Sequence, residues 1–124
     1  MNPKEIRIGN WINTIEGPVQ VTAMSHEGLM ATSIMTAGDL LGWAEPITIT
    51  DEWLRKFDFE YCDDGVYVLF NTIDGTSNFE VVLEKSGRAY ASIDGECTYW
   101  GKGFYIHQLQ NLYFALTGNE LIIQ

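Results

Sequence analysis

The chain has 124 residues, 46% of them apolar, and a formal net charge of −10 from 17 acidic against 7 basic residues. That length suits one domain able to bury roughly two thirds of its unfolded surface, and the apolar fraction excludes a disordered chain. The basic residues are dispersed, and only Arg55 and Lys56 adjoin, beside Asp51, Glu52 and Asp58, so direct nucleic-acid binding is not expected.

The opening MNPKEIRIGN holds no apolar segment ahead of a small-residue cleavage site. No secretory leader is expected, and the protein is read as cytoplasmic. EIRIGNWI places Ile6 and Ile8 on one strand face before Gly9-Asn10 turns the chain into Trp11 and Ile12. GPVQVTAM alternates Val19 and Val21 with Gln20 and Thr22, the period of a half-buried strand. Gly17-Pro18 is assigned to the preceding turn, because proline cannot continue a central strand. This strand–turn–strand opening is similar to that of small SH3-like barrels.

GLMATSIM fits either a strand or a short helix, and the glycines of TAGDLLGWAE discourage a long helix. PITIT at residues 46–50 alternates and predicts a strand. A short helix follows over 51–57: Thr50 suits the N-cap, Asp51 and Glu52 the positive end of the dipole, Arg55 and Lys56 the negative end. Trp53, Leu54 and Phe57 share the side that docks on a core.

Beyond residue 58 the punctuation becomes regular, with Asp64-Gly65, Asp74-Gly75, Ser86-Gly87, Asp94-Gly95 and Gly101-Lys102-Gly103 bounding runs rich in β-branched and aromatic residues. Asp-Gly is a hairpin signal, since glycine accepts the positive φ of tight β turns. An antiparallel meander of four or five strands is predicted, then a helix over roughly 106–117 stopped by Gly118, then a last short strand in NELII. The predicted fold is thus α+β, a β-rich single domain. Residues 1–50 form an SH3-like β unit, 51–57 a linking helix, 58–103 the meander, and 104–124 one C-terminal helix with the last strand.

That helix poses a problem. From Gly103 to Asn119 there is no Asp, Glu, Lys or Arg, although 19% of the chain is charged, and a surface helix normally shows water a charged face. His107, Gln108, Gln110 and Asn111 interrupt the stretch, so it is not read as a membrane span. At helical spacing Leu109, Leu112, Tyr113 and Leu116 form a core stripe with Ile106 at its edge. The opposite side carries His107, Gln110, Asn111 and Phe114. Either the helix is buried on both sides and its amides satisfy backbone groups, or these four residues form an interface anchored by Phe114.

RIGNW, PITITDEWLRKF and IHQLQNLYFALTGNEL together resemble a set of small uncharacterised proteins of gut anaerobic bacteria and their phages or mobile elements. The resemblance covers about a third of the chain, is most specific in the C-terminal string, and does not extend to the meander. The resembling sequences often carry Gly where this chain has Asp58. It implies relatedness and a mobile-element context, and supplies no activity.

Catalytic groupings are not evident. Ser25-His26-Glu27 reads as a polar loop, because triads are assembled from separated positions. Cys62 and Cys97 lack CxxC spacing and are read as two buried thiols rather than a zinc site or a disulfide. No spacing brings either one to His107. In DFEYCDD, alternation puts Phe57, Phe59 and Tyr61 on one side and Asp58 and Glu60 on a solvated side, which disposes of a metal nest. DGTSNFE reads as a hairpin turn, not a calcium loop, and no phosphate-binding glycine motif is present.

No catalytic, metal or cofactor site is therefore expected, and the chain is not read as an enzyme. The expected function is a binding or assembly module with another protein, or a second copy, as partner and no membrane association. The alternatives are an acidic nucleic-acid mimic inhibiting a DNA-binding protein, and a small-molecule or sugar-binding domain. For the last, Tyr99 and Trp100 are a candidate aromatic surface, although neighbours in a strand face opposite ways and only one of them can serve.

Overall fold

A computed structural model describes residues 6–14, 17–25, 28–31, 45–73, 75–86, 88–94, 96–101 and 105–123. They form an α+β, β-rich fold of two compact units. The described residues within Met1–Ile47 and Tyr105–Asn111 make one, and those within Thr48–Phe104 and Leu112–Gln124 the other.

The first unit is built on a three-stranded antiparallel sheet of β1 (Trp11–Thr14), β2 (Gly17–Ser25) and β3 (Gly28–Ala31), in that order. Ile12 pairs with Val19, and Ile12 and Val21 are fully buried, as the alternation requires. Two expectations fail here. Ile8 does not share a strand face with buried Ile6; it sits in the turn before β1 and is 55% exposed, because Gly9 at φ 97° and the bond from Asn10 N–H to Arg7 C=O reverse the chain there. Pro18 belongs to β2, opposite Asn13, and not to the turn. Among the described residues the β3 ladder pairs with β2 only from Val21 onward, so none of them needs an N–H from Pro18. GLMA is strand; residues 32–44, Trp43 among them, lie outside the described residues, as do His26 and Glu27.

PITIT is the third departure. Ile47 and Ile49 are buried and Thr48 and Thr50 exposed, so the alternation is real. Yet the segment is no continuous strand: Glu45 exchanges backbone bonds of 2.9 and 2.8 Å with Asn13 in an isolated bridge.

In the second unit, α1 (Asp51–Lys56) starts at Thr50, whose hydroxyl accepts the Trp53 N–H at 3.3 Å. Arg55 and Lys56 pair with Asp51 and Glu52 one turn back, exposed contacts contributing a few tenths of a kcal/mol each. Trp53 and Leu54 are buried, with Phe57 and Phe59 beyond the helix end. The five-stranded sheet is β4 (Glu60–Tyr61), β5 (Val66–Ile73), β6 (Ser77–Leu83), β7 (Ala89–Ile93) and β8 (Glu96–Gly101), each strand antiparallel to the next. Asp64 and Gly65, at φ 57° and 78°, supply the paired positive dihedrals that the Asp-Gly signal implies. Tyr67, Val81 and Ala91 align across three strands as one buried row. Phe79 packs beside it, 6.1 Å from the Phe59 ring.

Tyr67 also ties the sheet to α1 by donating its hydroxyl to Asp51 at 2.5 Å. Burial, then that bond, pushes the phenol up to about 12. The Tyr67 hydroxyl, then Arg55, holds the Asp51 carboxyl below its usual range. Helix α2 spans Ile106–Thr117. After it NELII forms no strand: Leu121 is buried, but Ile122 is exposed and no ladder receives it.

Candidate functional site

Helix α2 begins without an acidic residue in its first turn. Tyr105 precedes it, and the Tyr105 N–H donates to Gln108 Oε1 at 3.0 Å while its carbonyl accepts from Leu109 N–H. A glutamine three residues into the helix thus does half the work of a capping box without charge. Ile106 N–H donates to Ile47 C=O at 2.8 Å. At the far end Gly118, at φ 74°, sends its N–H to Phe114 C=O, the left-handed stop expected of glycine.

The buried positions are Ile106, His107, Leu109, Gln110 and Tyr113, while Leu112 and Leu116 are only half-buried. The inner arc is therefore turned from the leucine stripe toward His107 and Gln110. Gln110 is 1% exposed. Its Oε1 accepts the Trp11 N–H at 2.8 Å, and its Nε2 donates to Gly9 C=O at 2.9 Å. Asn111 is half-buried and accepts from Arg7 Nε at 2.7 Å and from Asn10 Nδ2 at 3.0 Å. Two neighbouring amides thus saturate the turn that opens β1, where Gln20 also donates to Gly9 C=O. His107 is 1% exposed, its ring stacked near-parallel on Tyr105 with centroids 6.1 Å apart.

Phe114 is different. It is 41% exposed, while Tyr113 beside it stands edge-on to Phe79 at 5.5 Å in the second unit's core. Of the four residues singled out on this side, the structure places two inside, one half-covered and one at the surface. Comparison with family models, curated proteins and solved structures finds no match.

The partners of the helix amides, Arg7 and Asn10, were not evident from pattern alone. Two of the three strings that carry the resemblance, RIGNW and the start of IHQLQNLYFALTGNEL, are the ones that meet here. Tyr99 and Trp100 lie in β8 opposite Ala91 and Tyr90; the surface suggested for their side chains falls outside the described residues. Cys62 is a half-buried free thiol rather than a fully buried one. Among the described residues no group of three His, Cys, Asp or Glu is placed to hold a metal ion, and no helix is long and apolar enough to cross a membrane.

Proposed function

We propose that this chain is a non-enzymatic protein-binding or assembly module of phage or mobile-element origin, working in the cytoplasm. The observation that carries the reading is Phe114: a large aromatic side chain, 41% exposed, on a helix with no charge in its first or last turn. Aromatic anchors on surfaces depleted of charge mark interface cores. The three-stranded β1–β2–β3 sheet supports reading the N-terminal part as SH3-like. Asp58 at φ 69° suits the resemblance, since the glycine common there would adopt that dihedral most easily.

Phe114→Asp tests the reading by light scattering behind a sizing column and by cross-linking of co-purifying protein. Association present in the wild type and lost in a variant with an unchanged urea midpoint is the expected result. Every association surviving in the folded variant refutes it.

A further inference from the structure

DFEYCDD carries four carboxylates and no cation in seven residues, and among the described residues its centre lies on an open sheet edge. Strand β4 ends the sheet order, and both of its residues are exposed. Cys62 N–H donates to Val66 C=O, so by strand alternation the Tyr61 N–H and C=O point away from β5. The Tyr61 ring is 47% exposed and meets Tyr67 edge-on at 5.1 Å. It departs from the sequence alternation, which grouped it with buried Phe57 and Phe59.

Two recesses flank this ring. One, of about 540 Å³, is lined by Arg55, Asp58, Phe59, Glu60 and Tyr61. The other, of about 490 Å³, is lined by Tyr61, Asp64, Gly65, Leu83, Glu84 and Lys85. In the first, Arg55 Nε already bonds both Asp51 oxygens at 2.9 and 3.0 Å. Its charge is matched there, whereas Asp58 and Glu60 form no ion pair among the described residues. In the second, Asp64 and Glu84 outnumber Lys85. Both recesses are thus net negative, and the ring between them attracts cations, with Arg55, itself paired to Asp51, already lying 5.9 Å from the ring centroid on the side of the first recess. Two residues are too short an edge for an extended ladder and offer at most one backbone bridge at Tyr61, so the recesses select what docks.

We propose that the β4 edge docks an extended basic segment of a partner protein, with Lys or Arg at alternate positions seated on either side of Tyr61. Alternate side chains of an extended segment share one face about 6.6 Å apart. Backbone bonds to Tyr61 add a strand-like bridge, and the pockets confer specificity. The surface is distinct from Phe114, and the inference goes beyond that reading without depending on it.

Full-length protein is titrated into a fluorescein-labelled heptapeptide of alternating Arg and Ser, followed by anisotropy at roughly 0.1 M salt, where long-range attraction is largely screened. Saturable binding is expected, weakened about tenfold by Tyr61→Ser. Glu60→Gln and Glu84→Gln should each weaken it about threefold, and Glu120→Gln and Phe114→Asp should leave it unchanged. Glu60→Gln and Glu84→Gln keep the test informative if Tyr61→Ser unfolds. Absent saturable binding, an unchanged affinity in folded Tyr61→Ser, or equal weakening by Glu120→Gln and Glu60→Gln overturns the proposal. Since Phe114→Asp is read separately by scattering, either proposal can fail without the other.

Discussion

Replacing Gln110 by Leu keeps the helix and nearly the same volume but removes both ends of a buried amide bridge. The Trp11 N–H loses its acceptor at 2.8 Å, and Gly9 C=O loses one of two donors, keeping Gln20 at 3.0 Å. Asn10 Nδ2, already 3.5 Å from Gln110, retains Asn111 at 3.0 Å and contributes little to the difference. Stripping this part-buried donor costs about 1–2 kcal/mol and halving an acceptor's bonds about 0.5–1 kcal/mol. The greater apolarity of leucine offsets part of this, leaving a net loss of about 2 kcal/mol, a substantial share of a stability of roughly 5–15 kcal/mol. In urea, followed by tryptophan fluorescence, that lowers the midpoint by about 1 M with the slope unchanged, and Tm falls by about 8 °C. Hydrogen exchange gives the sharper readout, since the Trp11 amide should exchange about 30-fold faster where opening follows stability. A midpoint within about 0.5 kcal/mol of wild type, with Trp11 protection intact, would falsify the view that Gln110 stitches the helix to the β1 turn.

Two further predictions concern the second unit. Because the Tyr67 pKa is raised from 10 to about 12, its stabilising contribution is complete below pH 10 and is lost as pH rises toward 12. Phenolate absorbance should therefore titrate late, and Asp51→Asn should lower the midpoint while leaving it above 10, burial being the first cause; no response to Asp51→Asn would break the link. Gly65→Ala should cost about 3 kcal/mol, since φ is 78° and the new Cβ would press into the Leu83 carbonyl oxygen. Gly75→Ala, at φ 72° with open space around it, should cost only about 1 kcal/mol, and equal urea midpoints for the two variants would contradict the packing argument.

Where a signal was local, pattern and structure agree. Asp64-Gly65 turns as its dihedrals demand, Thr50 caps α1, and α2 runs from Ile106 to Thr117 as its spacing and Gly118 imply. Readings failed where a partner strand had to be supplied. PITIT alternates because burial alternates, but alternation reports which side is covered and not whether a ladder exists. Pro18 lies in a strand at a position where no described residue of β3 pairs with it. NELII has the residue types of a strand, but its described residues join no ladder. The helix face was the least legible, because Gln110 and Asn111 look alike on a wet surface and on a dry seam. Only the position of Gly9, Asn10 and Trp11, about a hundred residues earlier, distinguishes the two.

The seam also has a consequence for how the chain is put together. Gln110 and Gly9 are 101 positions apart, so joining them in a flexible chain costs about 4 kcal/mol in closure entropy. Residues 6–31 leave the ribosome well before the amides that saturate their turn, which emerge only after all five strands of the meander. Until then Gly9 has only Val21 and Gln20 as partners, and water must stand in for Gln110 at the Trp11 N–H. In chain order the meander is an insert in the first unit, and doubling the intervening length adds only about 0.6 kcal/mol to closure. Its hairpin turns can therefore lengthen or diverge at little cost to the seam, while RIGNW and IHQLQN must change together or not at all.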